Sequence, residues 1–321
     1  MFLRLLLLTI TVALGWLPGI SHSQSIRISY SGVSGQNLPF WVTYEAGLYK
    51  KHGFNAEMVL IAGGLTNIQA LLANEIAFTY LGGAAPVQAT LQGAEVVILA
   101  TAYGLMPYGL IAGKSIHTVE ELKGKRIAVS RIGGIEETAA RLAFDRLGIG
   151  GRNVYFLQAG PDPVRIAAVE AGAAQATMLA PPGLFTATGR GLNLLADLGS
   201  LKIKYPTSVI TARRIYLTKE RPVAKRYLMA MIEGLQLYGQ NKNFAVQVLQ
   251  KYTKQASPEI LSNTYDYFAK NTPVVPLTDP EAIQTALPTD KPSNRKMEEF
   301  YDNSLVEELA REGFMKATTN K

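Results

Sequence analysis

A pattern of strand, glycine-bearing loop and helix occurs twice in this chain, the second time roughly a hundred residues after the first, and that recurrence narrows the folds open to it. The first passage opens with the β-type run Ile26 to Tyr30 and a small polar loop, Ser31 to Asn37. A helical stretch from about Pro39 to Lys51 follows, closed by Gly53 as a C-cap. A second strand at about Asn55 to Ile61 leads through the Gly63-Gly64 turn into a helix from about Thr66 to Asn74. A third strand, Ala77 to Leu81, ends in Gly82-Gly83. The second passage begins at Lys125-Arg126-Ile127-Ala128-Val129-Ser130 and ends at Met178-Leu179-Ala180. Aligned, Arg27, Ile28, Ser31 and Gly35 fall on Arg126, Ile127, Ser130 and Gly134. Ile68, Ala70, Ala73, Thr79 and Leu81 fall on Ile166, Ala168, Ala171, Thr177 and Leu179, and Ala62-Gly63 matches Ala159-Gly160 with one further gap. Short apolar runs alternating with amphipathic helices specify an α/β protein with largely parallel pairing. A true repeat then makes two similar lobes.

Length agrees with that reading, since 321 residues supply two domains of ordinary size, each able to bury a core. A hydrophobic share of 48% with 18% charged residues excludes disorder. The absence of cysteine excludes disulfides, thiolate metal sites and a cysteine nucleophile. At the N-terminus Arg4 precedes an apolar run from Leu5 to Leu17, then Pro18-Gly19 and Ser21-His22-Ser23. This is the order of a secretory signal peptide, residues 1–23, with cleavage between Ser23 and Gln24. The run is shorter than the roughly 20 residues a membrane span needs, and no second such run follows. No cysteine follows the cut, so no lipid anchor is expected. The protein is expected to be soluble and periplasmic. Its formal charge of +7 suits an anionic solute or surface, but the basic residues are scattered, which argues against nucleic acid.

In open α/β sheets ligands bind outside the carboxyl ends of the strands, where loops enter helix N-termini. Two such lobes side by side form a cleft. The loops expected to face it are 31–40, 63–67 and 82–86 from the first lobe, with 130–138, 160–165 and 180–183 from the second. The candidate ligand-binding set follows from them: Phe40, Trp41, Gly63, Gly64, Tyr80, Gly82, Gly83, Tyr103, Ser130, Arg131, Gly133, Gly134, Ala180 and Pro181. Glycines let backbone N–H groups approach a ligand, and helix N-termini favour anions. Ser130-Arg131-Ile132-Gly133-Gly134 reads as an anion cradle or as a plain helix cap with turn glycines. Arg131 is a cation able to pair with an anion. Phe40 and Trp41 serve either as a stacking face or as core packing, and Tyr80 either as a cleft hydroxyl or as core. Tyr103 or Tyr108 can offer a hydroxyl near the crossing. Asp162 either caps its helix or receives a cation, and Glu136 and Glu137 either repel an anion or receive an amine.

These pieces resemble a known family. EAGLYKKHGFNAEMV from Glu45 to Val59, LKGKRIAVS from Leu122 to Ser130 with its glycine pair, LAPP from Leu179 to Pro182 and FYDNSLVEELAREGF from Phe300 to Phe314 are similar to the NMT1/THI5-like group. These are secreted solute-binding proteins of ABC importers for nitrate, sulfonates, taurine and thiamine-precursor pyrimidines. The resemblance implies a two-lobed periplasmic-binding-protein fold of type II, with two crossovers and a ligand cleft between the lobes that closes on a hinge. Lobe 1 would comprise residues 24–101 and 209–321, and lobe 2 residues 102–208. Crossovers are expected at Thr101 to Met106 and Tyr205 to Thr211. Helices are expected at about Pro222 to Gln240, Phe244 to Tyr252, Pro258 to Lys270 and Lys296 to Arg311. The implied function is capture of a small, anionic organic or inorganic solute by a monomer that delivers it to an ABC permease and its cytoplasmic ATPase. No cofactor, metal or catalytic residue is expected. A binding protein feeding a sensor kinase or chemoreceptor is the alternative, and a secreted enzyme a more distant one.

Enzyme motifs fail on spacing. Gly113-Lys114-Ser115 lacks the strand–loop–helix context of a phosphate loop, and no Gly-x-Ser-x-Gly elbow occurs. His52 sits at a basic helix end, and His117 precedes the capping box Thr118 to Glu121. The family's cytosolic pyrimidine-synthesis branch carries a cysteine-rich motif that is missing here.

Overall fold

A computed structural model describes residues 23–150, 153–288 and 294–315. The expected leader lies outside the described residues except for Ser23. The first lobe begins β1 (Gln24–Tyr30), α1 (Leu38–Glu45), α2 (Leu48–Lys51), β2 (Phe54–Leu60), α3 (Gly64–Leu72), β3 (Phe78–Leu81), α4 (Ala84–Leu91) and β4 (Val96–Leu105). The chain then crosses into β5 (Gly109–Ala112), β6 (Arg126–Val129), α5 (Ile135–Arg146), β7 (Tyr155–Gln158), α6 (Asp162–Glu170), β8 (Ala176–Leu179), α7 (Gly183–Gly189) and β9 (Asn193–Asp197). It returns through β10 (Lys204–Arg213) to α8 (Arg221–Gln240), α9 (Lys242–Thr253), α10 (Pro258–Ala269), α11 (Pro280–Ala286) and α12 (Ser304–Arg311).

Two five-stranded sheets result, ordered β2-β1-β3-β10-β4 and β7-β6-β8-β5-β9. Each has three parallel strands, then an antiparallel strand, then an antiparallel edge. The repetition extends to single bonds. Ala77 N–H donates to Arg27 O at 2.8 Å, and Gln175 N–H to Arg126 O at 2.8 Å. Ile61 N–H donates to Tyr30 O, and Ala159 N–H to Val129 O. Thr79 and Thr177, on the two third strands, are both fully buried. The fold is the expected two-lobed α/β type, crossed twice.

Its details correct several boundaries. β4 and β10 pair with one another from Lys204↔Leu105 onward, through several register shifts. Most of the two segments expected as crossovers therefore lies inside ladder strands. Buried backbone needs partners, and the two crossing strands supply them to each other. The helix expected over 39–51 breaks at Gly47, whose φ of +68° ends α1 and starts α2. The closing segment is a single 3-10 turn at Met297–Glu299 followed by α12, since Asp302 accepts from Ser304 N–H and starts a new helix there.

The first lobe's core is aromatic. Phe78 stacks on Tyr227 with ring centroids 3.9 Å apart, and α8 brings that tyrosine across from the return segment. Each fully buried large side chain contributes about 1.5–3 kcal/mol. The C-terminal helices thus close the first lobe. Among the described residues no helix is long and apolar enough to cross a membrane.

Candidate functional site

A cavity of about 430 Å³ lies between the lobes, within the roughly 300–1,000 Å³ typical of small-molecule sites. Its first-lobe wall is Ser31 and Gln36 after β1, the turn Gly63, Gly64 and Leu65, and Gly82, Ala84, Ala85 and Gln88 around the start of α4. The second-lobe wall is Ser130, Arg131, Gly133, Gly134, Ile135 and Glu136. Tyr108 and Thr207, on the two crossing segments, complete it.

Buried side chains hold the first-lobe wall from below. Asn67 Nδ2 donates to Ile61 O at 2.6 Å and Gly63 O at 2.8 Å, while its Oδ1 accepts from Ser29 and Thr79. All three side chains are fully buried, so the turn is tied to the lobe's core. Tyr80 hydroxyl donates to Gln36 O at 3.0 Å and fixes the loop after β1 in the same way.

The second-lobe wall is built on charge. The Arg165 guanidinium is buried, and it donates to Met178 O at 2.9 Å and to Asp162 Oδ1. Its Nη2 also lies 3.6 Å from Glu136 Oε1. Glu136 Oε2 accepts from Ser130 Oγ at 2.7 Å. Buried charges persist only when paired in this way. Burial, and beyond it the carboxylates of Glu136 and Asp162, hold the Tyr108 phenol well above its ordinary value, so its hydroxyl stays neutral.

The glycine loop does not present the free N–H groups expected of an anion cradle. Gly133 N–H donates to Glu137 Oε2 at 2.8 Å, Ile132 N–H to Gln158 Oε1 at 3.2 Å and Gly134 N–H to Arg131 O at 3.1 Å. The loop's donors are taken by its own first-turn acid, a neighbouring strand and its own turn. Asp162 pairs with Arg165 instead of capping its helix.

Seven candidates line the cavity: Gly63, Gly64, Gly82, Ser130, Arg131, Gly133 and Gly134. The other seven do not. Phe40 lies in the core against Tyr80, with centroids 5.3 Å apart, and Trp41 stacks on Tyr252 at 4.6 Å. Tyr80 points under the loop it supports, and Tyr103 packs edge-on against Phe268. A helix entering over a sheet turns its large apolar side chains inward, as Phe40 and Trp41 of α1 do, whereas Tyr80 and Tyr103 belong to strands β3 and β4 of the sheet and point into the same core. Gly83 packs against Pro206, to whose carbonyl its N–H donates at 2.7 Å. Ala180 belongs to the second core. Pro181 O accepts from Gly35 N–H at 3.3 Å, a bond between the lobes. Gln36, Gln88 and Thr207 line the cavity without belonging to the candidate set. For Gln88 the helical spacing from Ala84 is the available signal. Among the described residues no cluster of three or more His, Cys, Asp or Glu could hold a metal ion.

Comparison with known proteins agrees with this geometry. The sequence pattern of the family described as NMT1/THI5 like matches residues 35–243, roughly two thirds of the chain. The periplasmic aliphatic sulphonate binding protein SsuA from Escherichia coli superposes with a TM-score of 0.67 at 19% identity, covering 93% of this chain and 94% of that one. The periplasmic nitrate-binding protein NrtA from Synechocystis PCC 6803 does so at 0.69 and 17% identity, covering 90% and 89%. A curated binding protein of Brucella abortus is 26% identical over 164 residues, covering 49% of each chain. The chain spans about half the length of the curated relatives it matches.

Proposed function

The chain belongs to the NMT1/THI5-like family, and on that premise we propose that it is the extracytoplasmic solute-binding protein of an ABC importer. It captures a small solute bearing an anionic group and carries out no chemistry. As a monomer it presents its closed form to a membrane permease served by a cytoplasmic ATPase. The observation that carries this reading is a cavity walled by loops of both lobes, with Arg131 of one lobe beside the Gly63 turn of the other. A solute that touches both walls favours the closed state by its differential affinity for it.

The test is a thermal-shift panel on the chain from Gln24, with nitrate, taurine, alkanesulfonates, aromatic acids, pyrimidines and cyanate. A solute that binds only the folded state must raise Tm as its concentration rises. One class doing so supports the reading, and no shift with any compound overturns it.

A further inference from the structure

The two formally charged side chains of the cavity wall have opposite sign, Arg131 and Glu136. Arg131 is exposed and makes no ion pair among the described residues, whereas Glu136 is only 9% exposed. Behind Glu136 two carboxylates, its own and that of Asp162, share one guanidinium, that of Arg165. The trio carries one negative charge more than it neutralises; the Asp162 side chain is 41% exposed to solvent, whereas Arg165 and Glu136 are buried. Its Glu136 member reaches the cavity, and Arg165 at 3.6 Å is beyond hydrogen-bond distance from it. A carboxylate accepts about four hydrogen bonds, and the described side chains give this one a single donor, Ser130. An anion placed there would meet like charge in a poorly solvated corner, with the N–H groups of Ile132, Gly133 and Gly134 already spent.

We propose that Glu136 sets the charge class of the solute: the cleft selects dipolar solutes, with an amino or amidino N–H group against Glu136 and the anionic group toward Arg131. This inference rests on the solute-binding reading and refines it. The excess negative charge of the Glu136–Arg165–Asp162 group is then balanced by the ligand. The neutral Tyr108 hydroxyl on the same wall adds a partner for the polar end.

Matched pairs of probes decide it: β-alanine with propionate, 2-aminoethanesulfonate with ethanesulfonate, and 4-aminobenzoate with benzoate. Each is titrated calorimetrically into the wild-type chain, Glu136→Gln and Arg131→Ala. The expected result is that the amino member of at least one pair binds the wild type about ten-fold or more tightly than its partner. In Glu136→Gln that preference disappears, and in Arg131→Ala both members weaken alike. Equal or tighter binding of the amine-free member to the wild type overturns the role of Glu136 and leaves the solute-binding reading standing. Binding of neither member of any pair, with a positive shift by an inorganic anion in the thermal panel, overturns the inference alone. Silence in both assays overturns both. If Glu136→Gln does not fold, the comparison of paired probes on the wild type still decides between these outcomes.

Discussion

The guanidinium of Arg131, carried on the second lobe, lies beside the Gly63 turn of the first: a β-carbon placed on Gly63 would stand 3.9 Å from Arg131 Nη2. A single side chain therefore spans the cleft mouth, and an anion held by Arg131 lies against the N-terminus of α3 as well. Arg131→Ala is expected to weaken binding of an anionic probe about 10- to 100-fold, the worth of a charge-assisted hydrogen bond. The exposed position predicts a ligand-free stability within about 0.5 kcal/mol of wild type. Isothermal titration and denaturant melts measure the two quantities separately, and an unchanged Kd would remove Arg131 from the site.

Directly after that turn, Gly64 touches α4. A β-carbon there would meet Ala85 Cβ at 2.6 Å, and two helix starts that both line the cavity would have to separate. Gly64→Ala is expected to cost about 1–3 kcal/mol, the usual penalty of overpacking. Solute affinity should fall with it, because α3 and α4 position the first-lobe wall. A denaturant midpoint equal to wild type would show that the helices yield freely.

Beneath the same wall Asn67 carries four hydrogen bonds, two to the turn's carbonyls and two from Ser29 and Thr79. Asn67→Ala strands buried carbonyls and hydroxyls together, so about 2–4 kcal/mol of stability should be lost. Hydrogen exchange should report the loss first at Gly63, whose N–H donates to Ser31 O in the turn that Asn67 ties down. Uniform loosening of the whole lobe would argue against a local role.

The strand–loop–helix order is legible in the sequence because its signals are local: apolar runs of strand length, glycine after each strand and helical spacing beyond. Those signals locate four loops that line the cavity, with Gly63, Gly64, Gly82, Ser130, Arg131, Gly133 and Gly134 in its wall, while the expected loops 160–165 and 180–183 contribute no residue to it. Side-chain direction is not legible in the same way. Phe40, Trp41, Tyr80 and Tyr103 stand in or next to the right loops, yet all four turn into the core. An aromatic at a helix entry has the same composition whether it faces a ligand or a sheet. Arg165 is invisible for a further reason. Its position matches Asn67 of the first lobe, and only the fold shows that a buried amide in one lobe is replaced by a buried guanidinium in the other. Gly133 and Gly134 look like an anion cradle in sequence because the occupancy of their N–H groups depends on Glu137 and Arg131, and that of the neighbouring Ile132 on Gln158, whose reach no local pattern encodes.

Phe40 separates core from site experimentally. It is fully buried among Tyr30, Tyr49 and Tyr80. Phe40→Ala should therefore cost about 3–5 kcal/mol in stability. The rank order of solutes should remain unchanged, measured at a temperature where the variant is folded. A reordered solute preference would return Phe40 to the cleft.

Ion pairs tie the last helix to α8 beside its buried apolar face, and the contribution of those pairs should fall in acid. Glu308 of α12 accepts from Arg221 Nη2 and Lys225 Nζ of α8, both at 2.7 Å, and Lys225 also reaches Glu312 at 2.6 Å. Hydrogen bonds from Lys225 and then Arg221 hold the Glu308 carboxyl down from its ordinary 4.5 to about 2. A carboxyl whose folded value lies below its unfolded value stabilises the fold above the unfolded value. That contribution is lost as pH falls toward the folded value. The window for Glu308 is thus between about 4.5 and about 2. Within it, amide exchange in α12 should quicken ahead of exchange in α8, whose other face is packed against α1. Glu308→Gln should already exchange faster in α12 at neutral pH and show a flatter acid response than wild type. Raising the salt concentration at neutral pH should narrow the gap between the two proteins, because these side chains are partly exposed to solvent. Equal acid responses of the variant and the wild type would mean that the apolar face of Leu305, Val306 and Leu309 holds α12 without help from Glu308.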